Sequence, residues 1–485
     1  APMPKTQLAA ASPTSPGVTA TSGFGMTGAP RRPDDRDASS IPRLLRGRKT
    51  YKVWTERILS EGKFGYFCPG QEVEAGTDVM VKIYKDTGNV PLKCFHRSLA
   101  ALTNVREKLI GGRREGGEQD LEVLEQDLES MGSGSRYGSA SFIVSQMEFK
   151  HNFVELLDHS LDRAGEPGLD PESGLCYIVQ EMGEVTLQDE ILWYVTEGRK
   201  VPLGELRKLQ WDLVSMVCSL HSEGLVNLDI APRNVMKFRL EDGHTQWRLI
   251  DFDGAVKPNV GMSLFEVPVV PEYMPPEYAG QYLQSRREPC KLKAMRNMDV
   301  WSAALCGLEP VLQRPVLGDR HNEIKARTGS DTKFLAWLAA DGFAEPVMSA
   351  ELRAEVHDLC PDMCNLLEGM LEKDHKTRLS VTHCVTHRFF MPFQRLLLEA
   401  SWDSAVLQSI DDAEAALKAK AEEEELQNII EESKVEHKDD KRVHASVRML
   451  EGPEEMPQSA MVEAWSDDSK PRSNSKIMAK SCAVM

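Results

Sequence analysis

Three polar residues fall in one short stretch of the 485-residue chain: Asp229, Asn234 five positions later, and Asp251 after the apolar run Trp247, Leu249 and Ile250. Between them Glu241-Asp242-Gly243 is a strong turn signal, so residues 235–240 are expected to fold back on 246–250. Such a hairpin brings Asp229, Asn234 and Asp251 to one end of a small sheet. Asn and Asp supply hard oxygens of the kind Mg2+ prefers, and a separate carboxylate accepts or orients an acceptor hydroxyl. Phosphoryl transfer from a metal–nucleotide complex needs that grouping.

The stretch LVNLDIAPRNVM at 225–236, followed by LIDFDGA at 249–255, resembles the catalytic and metal-binding loops of the eukaryotic protein-kinase superfamily. The resemblance implies that Asp229 is the catalytic base and that Asn234 and Asp251 are the magnesium ligands. Asn227-Leu228 stands where the family has His-Arg, and Asp253 replaces the glycine of Asp-Phe-Gly, with Gly254 one place late. Leu228 removes the arginine that would meet an activation-loop phosphate, so activation by that route is not expected. A second carboxylate beside Asp251 is expected to raise the proton affinity of both, and to recruit a further cation or point to solvent. On that reading Asp253→Gly leaves activity unchanged or raises it.

The elements that must position these groups lie on both sides. Upstream, Gly62 and Gly65 sit in a turn whose backbone amides can approach phosphate closely, and Lys82 lies in the alternating apolar strand 79–84. By resemblance, Ser60, Gly62 and Gly65 match the three glycine positions of the nucleotide loop, and Lys82 matches the lysine that contacts the α- and β-phosphates. That lysine needs an acidic partner from the next helix, read at 92–110; Glu107 is the candidate, with Glu122 and Glu125 as rivals. Residues 176–183 resemble the strand that runs into the hinge, with Gln180 as gatekeeper and the backbone of Glu181 and Met182 bonding adenine. Downstream, 203–223 is an amphipathic helix leading to the catalytic loop. Tyr273-Met274-Pro275-Pro276-Glu277 resembles the Ala-Pro-Glu motif. Asp299 is expected to brace the catalytic loop, and Arg378 to pair with Glu277.

Composition sets wider bounds. An apolar fraction of 41% and a charged fraction of 27% are those of a soluble globular protein, and a net charge of −17 argues against a nucleic-acid partner. The ten cysteines are scattered, which favours a reducing compartment, and His357, Cys360, Cys364, His383 and Cys384 fit no zinc spacing and read as core. Residues 1–48 read as a disordered tail and 397–485 as an acidic helical and disordered tail. The domain between, 49–396, is expected to be a two-lobed α+β fold with a β-rich lobe at 49–183 and a helical lobe at 184–396. The function expected is an ATP- and Mg2+-dependent kinase acting on a protein substrate, Ser/Thr favoured. Two alternatives stand beside it: a pseudokinase that binds nucleotide or scaffolds, and a Tyr-specific kinase. The latter rests on Ala231 and Arg233, an arrangement closer to tyrosine kinases, in which the arginine supplies charge beside the base. The chain begins at Ala1 rather than Met, which leaves targeting unread. Its last residues, Cys482-Ala483-Val484-Met485, fit a farnesylation pattern. One lipid with few basic neighbours implies reversible membrane contact by a cytoplasmic protein.

Overall fold

A computed structural model describes residues 41–85, 89–111, 152–263, 266–288, 291–340 and 346–401, together with positions 415, 419 and 420. The chain divides into a unit of residues 1–408 and one of 409–485, and nearly all described residues belong to the first. Cys482, Glu122 and Glu125 lie outside the described residues, as does all of the acidic helix expected beyond 408 except positions 415, 419 and 420, which are helical.

The first lobe is an antiparallel sheet of seven strands: β1 (Arg43–Arg46), β2 (Thr50–Val53), β3 (Ser60–Glu61), β4 (Gly65–Glu72), β5 (Asp78–Tyr84), β6 (Leu156–His159) and β7 (Tyr177–Glu181). Their order is β1-β2-β4-β5-β7-β6, with β3 on β4. Strand β5 is covered on both faces, so alternation rather than exposure sorts its side chains. Val79, Val81 and Ile83 pack with Leu45, Tyr51 and Tyr177. Met80 and Tyr84 face the main core with Phe95 of helix α1 (Asn89–Gly111). Lys82 shares the parity of Met80 and Tyr84, which turns it toward the helix and the second lobe.

Residues 41–48, assigned above to a disordered tail, are corrected by β1. Leu45 pairs with Tyr51 and is fully buried. A single buried leucine among arginines is too short a pattern to read as a strand, and its partner β2 is what makes it one.

The second lobe begins with β8 (Val185–Thr186) and α2 (Leu187–Thr196), whose first turn is capped by Thr186 Oγ1 accepting the Asp189 amide at 3.1 Å. Then follow α3 (Leu203–Ser222), β9 (Val226–Asn227), β10 (Val235–Arg239), β11 (Thr245–Leu249), β12 (Ala255–Val256) and β13 (Gly261–Met262). The expected hairpin is present: Val235 pairs with Leu249 and Arg239 with Thr245, and Gly243 closes the turn at φ +85°. Helices α4 (Pro276–Ser285), α5 (Arg296–Leu312), α6 (Gly318–Thr328), α7 (Asp331–Leu338), α8 (Ala350–Leu359), α9 (Pro361–Met370), α10 (Val381–Val385) and α11 (Met391–Ser401) complete it, with β14 (Leu292–Lys293) paired to β13. The fold is a two-lobed α+β fold. Among the described residues no helix is long and apolar enough to cross a membrane.

One buried ion pair ties the start of α4 to the chain before α10. Arg378 Nη1 and Nη2 meet Glu277 Oε1 and Oε2 at 2.6 and 2.9 Å. The same guanidinium donates to the Asn297 and Glu372 carbonyls at 2.7 and 2.8 Å and lies over the Trp301 ring. Arg378→Met strands the Glu277 carboxylate in the interior. Urea denaturation is expected to show a loss of about 3–5 kcal/mol, recovered in part when Glu277→Gln is added. A loss under about 1 kcal/mol would place the pair with weak surface bridges.

Candidate active site

The site is assembled on two short strands. Val226 and Asn227 pair with Val256 and Ala255, which sets the catalytic loop against the metal loop. Asn227 is fully buried and is the hub of the contact. Its Nδ2 donates to the Asp251 carbonyl at 2.8 Å, and its Oδ1 accepts the Asp229 amide at 3.0 Å. Its own amide donates to both Asp299 oxygens at 3.1 and 2.9 Å. Asp299 also meets His221 Nε2 at 3.1 Å, and burial pushes His221 down to about 3, so the ring is neutral. Gly254 is needed here. A Cβ on it would stand 2.7 Å from Asn227 Oδ1 and 3.0 Å from the Leu228 and Asp229 amides. The glycine that the sequence places one position late is thus the point where the two loops touch.

Pro232 opens a 3-10 turn that carries Arg233 and Asn234 back beneath Asp229. Arg233 Nη2 donates to Asp229 Oδ1 at 2.7 Å, and Asn234 Nδ2 donates to the Asp229 carbonyl at 2.8 Å. Burial pushes the Asp229 carboxyl up to about 6; Arg233 pulls against it and the Asp251 charge adds to it.

Lys82 crosses from the sheet lobe. Its Nζ lies 2.6 Å from Asp251 Oδ1 and 2.7 Å from Asp253 Oδ2. Burial alone would pull Lys82 down, but the two carboxylates outweigh it and hold the ammonium above its usual value. Burial also works against Asp251, yet Lys82 and the Asp253 amide, which donates to Asp251 Oδ1 at 2.8 Å, hold Asp251 below the usual range. Asp253 is raised, by burial first and by Asp251 next. The expectation of a raised proton affinity therefore applies to Asp253 and not to Asp251. Nor does Asp253 point to solvent: its Oδ1 accepts Ser98 Oγ at 2.7 Å and the Tyr84 hydroxyl at 3.0 Å.

Among the described side chains, no carboxylate of α1 meets Lys82. Glu107 is on α1, but nine residues beyond Ser98 and so about 13 Å further along the axis. The carboxylates on Lys82 come instead from the metal loop. In the glycine turn, the Gly62 amide donates to the Gly65 carbonyl at 2.8 Å, and a Cβ on Gly65 would stand 2.6 Å from the Ile83 carbonyl oxygen. Ser60 pairs with Phe67 in the same ribbon. At the hinge, the Glu181 amide already donates to the Glu155 carbonyl at 3.2 Å, which withdraws that donor from an adenine. Its side chain accepts Arg248 Nη1 at 2.5 Å, and Met182 beside it is half-buried. Gln180 donates to the Ile250 carbonyl at 3.3 Å.

Beside Asp229 is a small cavity, lined also by Leu228, Val270, Tyr273, Tyr278 and Ser302. Ser302 Oγ donates to the Tyr273 carbonyl at 3.0 Å, and the Tyr273 hydroxyl donates to Glu309 Oε2 at 2.5 Å.

Sequence reasoning missed Tyr84, Ser98 and the hub role of Asn227. Tyr84 carried a signal, since it shares the parity of Lys82 two residues on. Ser98 carried none.

A buried lysine from a sheet lobe meeting an Asp-Asn-Asp set from a helical lobe defines the architecture of a protein kinase. The chain belongs to that family: the family model described as Protein kinase domain matches residues 144–390. The match begins beyond Lys82, so the glycine turn and α1 are brought to the site by the structure alone. Among curated proteins the chain is similar to cyclin-dependent kinase 1 of Encephalitozoon cuniculi, 27% identical over 44% of this chain and 71% of that one. It is 29% identical to smooth-muscle myosin light chain kinase of Gallus gallus over 35% of this chain and 7% of that protein. It is 27% identical to serine/threonine-protein kinase pkn2 of Myxococcus xanthus over 33% of this chain and 18% of that one.

Glu309 makes the wall of the cavity sensitive to pH. Burial pushes its carboxyl from 4.5 up to about 7, with the Tyr273 hydroxyl pulling against it. The folded chain then holds this proton more tightly than the unfolded chain. The contribution to stability is full below pH 4.5 and is lost as pH rises through about 7. Glu309→Gln is expected to flatten thermal stability across that window, by up to roughly 3 kcal/mol. An unchanged slope would place the titration elsewhere.

Proposed function

We propose that this chain is an ATP- and Mg2+-dependent protein kinase that transfers the γ-phosphoryl group to a protein hydroxyl, Ser or Thr in preference to Tyr. The observation that carries this reading is that Lys82 meets Asp251, Asn234 holds Asp229, and Asn227 ties the Asp251 and Asp229 backbones together. The residues suit magnesium. Asn234 commits its amide nitrogen to the Asp229 carbonyl, which leaves its side-chain oxygen to a cation, and Asp251 is held ionised by Lys82. When bound, Mg-ATP supplies the phosphoryl group and neutralises its charge. Asn234 and Asp251 would hold the metal and Lys82 the phosphates. Asp229 would orient the acceptor hydroxyl and take its proton, with Arg233 supplying positive charge beside it. A Ser/Thr acceptor is supported by the name of one relative, a serine/threonine-protein kinase. A pseudokinase reading draws on Asn227 and Asp253, and predicts nucleotide binding without turnover.

The test is transfer of labelled phosphate from ATP-Mg to a mixed library of Ser, Thr and Tyr peptides. Asp229→Asn is expected to lower kcat by about 10²–10⁴-fold. Nucleotide at 100 times its Kd should stabilise wild type and variant alike by about 2.7 kcal/mol. Stabilisation without transfer would make the chain a binding module. Label on Tyr alone would overturn the acceptor assignment, and the absence of both stabilisation and transfer would overturn the proposal.

A further inference from the structure

The resemblance places the partner of Lys82 on the first helix, yet α1 holds no carboxylate from Asn89 to Arg106. At the level of the site it presents Cys94, Arg97 and Ser98. Ser98 Oγ reaches Asp253 rather than Lys82, at 2.7 Å. We propose that Asp253 takes over the positioning of Lys82, so that the metal loop and not the helix fixes the lysine for its phosphates. This rests on the reading of Lys82 as a phosphate-contacting group.

Every polar atom of Asp253 is committed to this arrangement. Oδ2 holds Lys82 at 2.7 Å, and Oδ1 is oriented by Ser98 and Tyr84. The backbone amide donates to Asp251, and the backbone carbonyl accepts Arg97 Nη2. Arg97 Nη2 also donates to the Glu266 carbonyl at 2.8 Å, which joins α1 to the segment after the metal loop. Among the described side chains, α1 therefore reaches Lys82 through Asp253. A loop glycine there would leave Lys82 with Asp251 alone, and Asp251 is also assigned to the metal. One carboxylate serving both a metal and a buried lysine must divide its charge, and a second carboxylate relieves that conflict. Asp253 is a positioning residue, and the sequence expectation that Asp253→Gly is harmless is reversed.

The test uses the full chain, with a fluorescent ATP analogue in Mg2+, steady-state kinetics on a peptide acceptor, and thermal unfolding without nucleotide. Asp253→Gly and Asp253→Asn are expected to raise the nucleotide Kd and the KM for ATP at least tenfold, with the smaller effect on kcat. The double variant Ser98→Glu, Asp253→Gly returns a carboxylate to the helix and is expected to recover most of that loss. In the absence of nucleotide, Lys82→Met and Asp253→Asn should lower Tm non-additively, the pair falling no further than the worse single variant. Unchanged Kd and KM in Asp253→Gly, or additive Tm losses, overturn the inference. A wild-type chain that binds no nucleotide overturns the kinase reading and the phosphate-positioning role with it. A non-additive Tm cycle in that case still establishes the Lys82–Asp253 pairing.

Discussion

One lysine cation buried between two carboxylates is the constraint on which the site depends. Lys82 is 3% exposed, and taking an ammonium out of water is costly unless its charge is matched at contact distance. Two carboxylates match it, and together the three groups carry a net negative charge. That excess is spread over further donors: the Asp253 amide on Asp251, and Ser98 and Tyr84 on Asp253. Arg233 adds a second cation nearby and lowers the proton affinity of Asp251 as well as of Asp229. Each lobe supplies charges that the other needs, so the sheet lobe and the metal loop are held by the same groups that are proposed to meet nucleotide.

The catalytic loop depends on a second, neutral arrangement. Asn227 satisfies three partners at once, and each is a different piece of chain: Asp251, Asp229 and Asp299. An amide is suited to this because it donates and accepts from one end. Being uncharged, it avoids the desolvation cost of a buried charge, and both its side-chain nitrogen and oxygen have a partner. Behind it Asp299 and neutral His221 extend the same network into α5 and α3. Asp229 is thus positioned by buried polar contacts that lead back to well-packed helices rather than by an exposed loop.

Much of this was legible in the sequence because it rests on local rules. The 235–249 hairpin follows from its turn residues, and the helix before it from apolar spacing. Lys82 stood out because alternation puts a charge where both faces of a strand are covered. What was not legible depends on distance through space. Glu107 is the first acid along the helix, yet helical rise carries it about 13 Å past the level of Ser98. Strand β1 was missed because Leu45 is apolar in isolation and becomes part of a core only when β2 lies beside it. Asp253 was read as a free second carboxylate because nothing local announces that Ser98 and Tyr84 converge on it.

The departures from the family pattern are therefore not independent losses. Asn227 can occupy the hub only if the residue opposite it has no Cβ, and that residue is Gly254. Moving the glycine by one place frees the preceding position for a side chain, and Asp253 fills it. A carboxylate there is stable only with a cation and donors around it, which Lys82, Ser98 and Tyr84 provide. The helix in turn lacks an acid between Asn89 and Arg106. Taken one at a time, each departure looks like decay of a site. In contact with one another, Asn227, Gly254 and Asp253 form a set in which each change is matched by a neighbour, which lowers the cost of burying them.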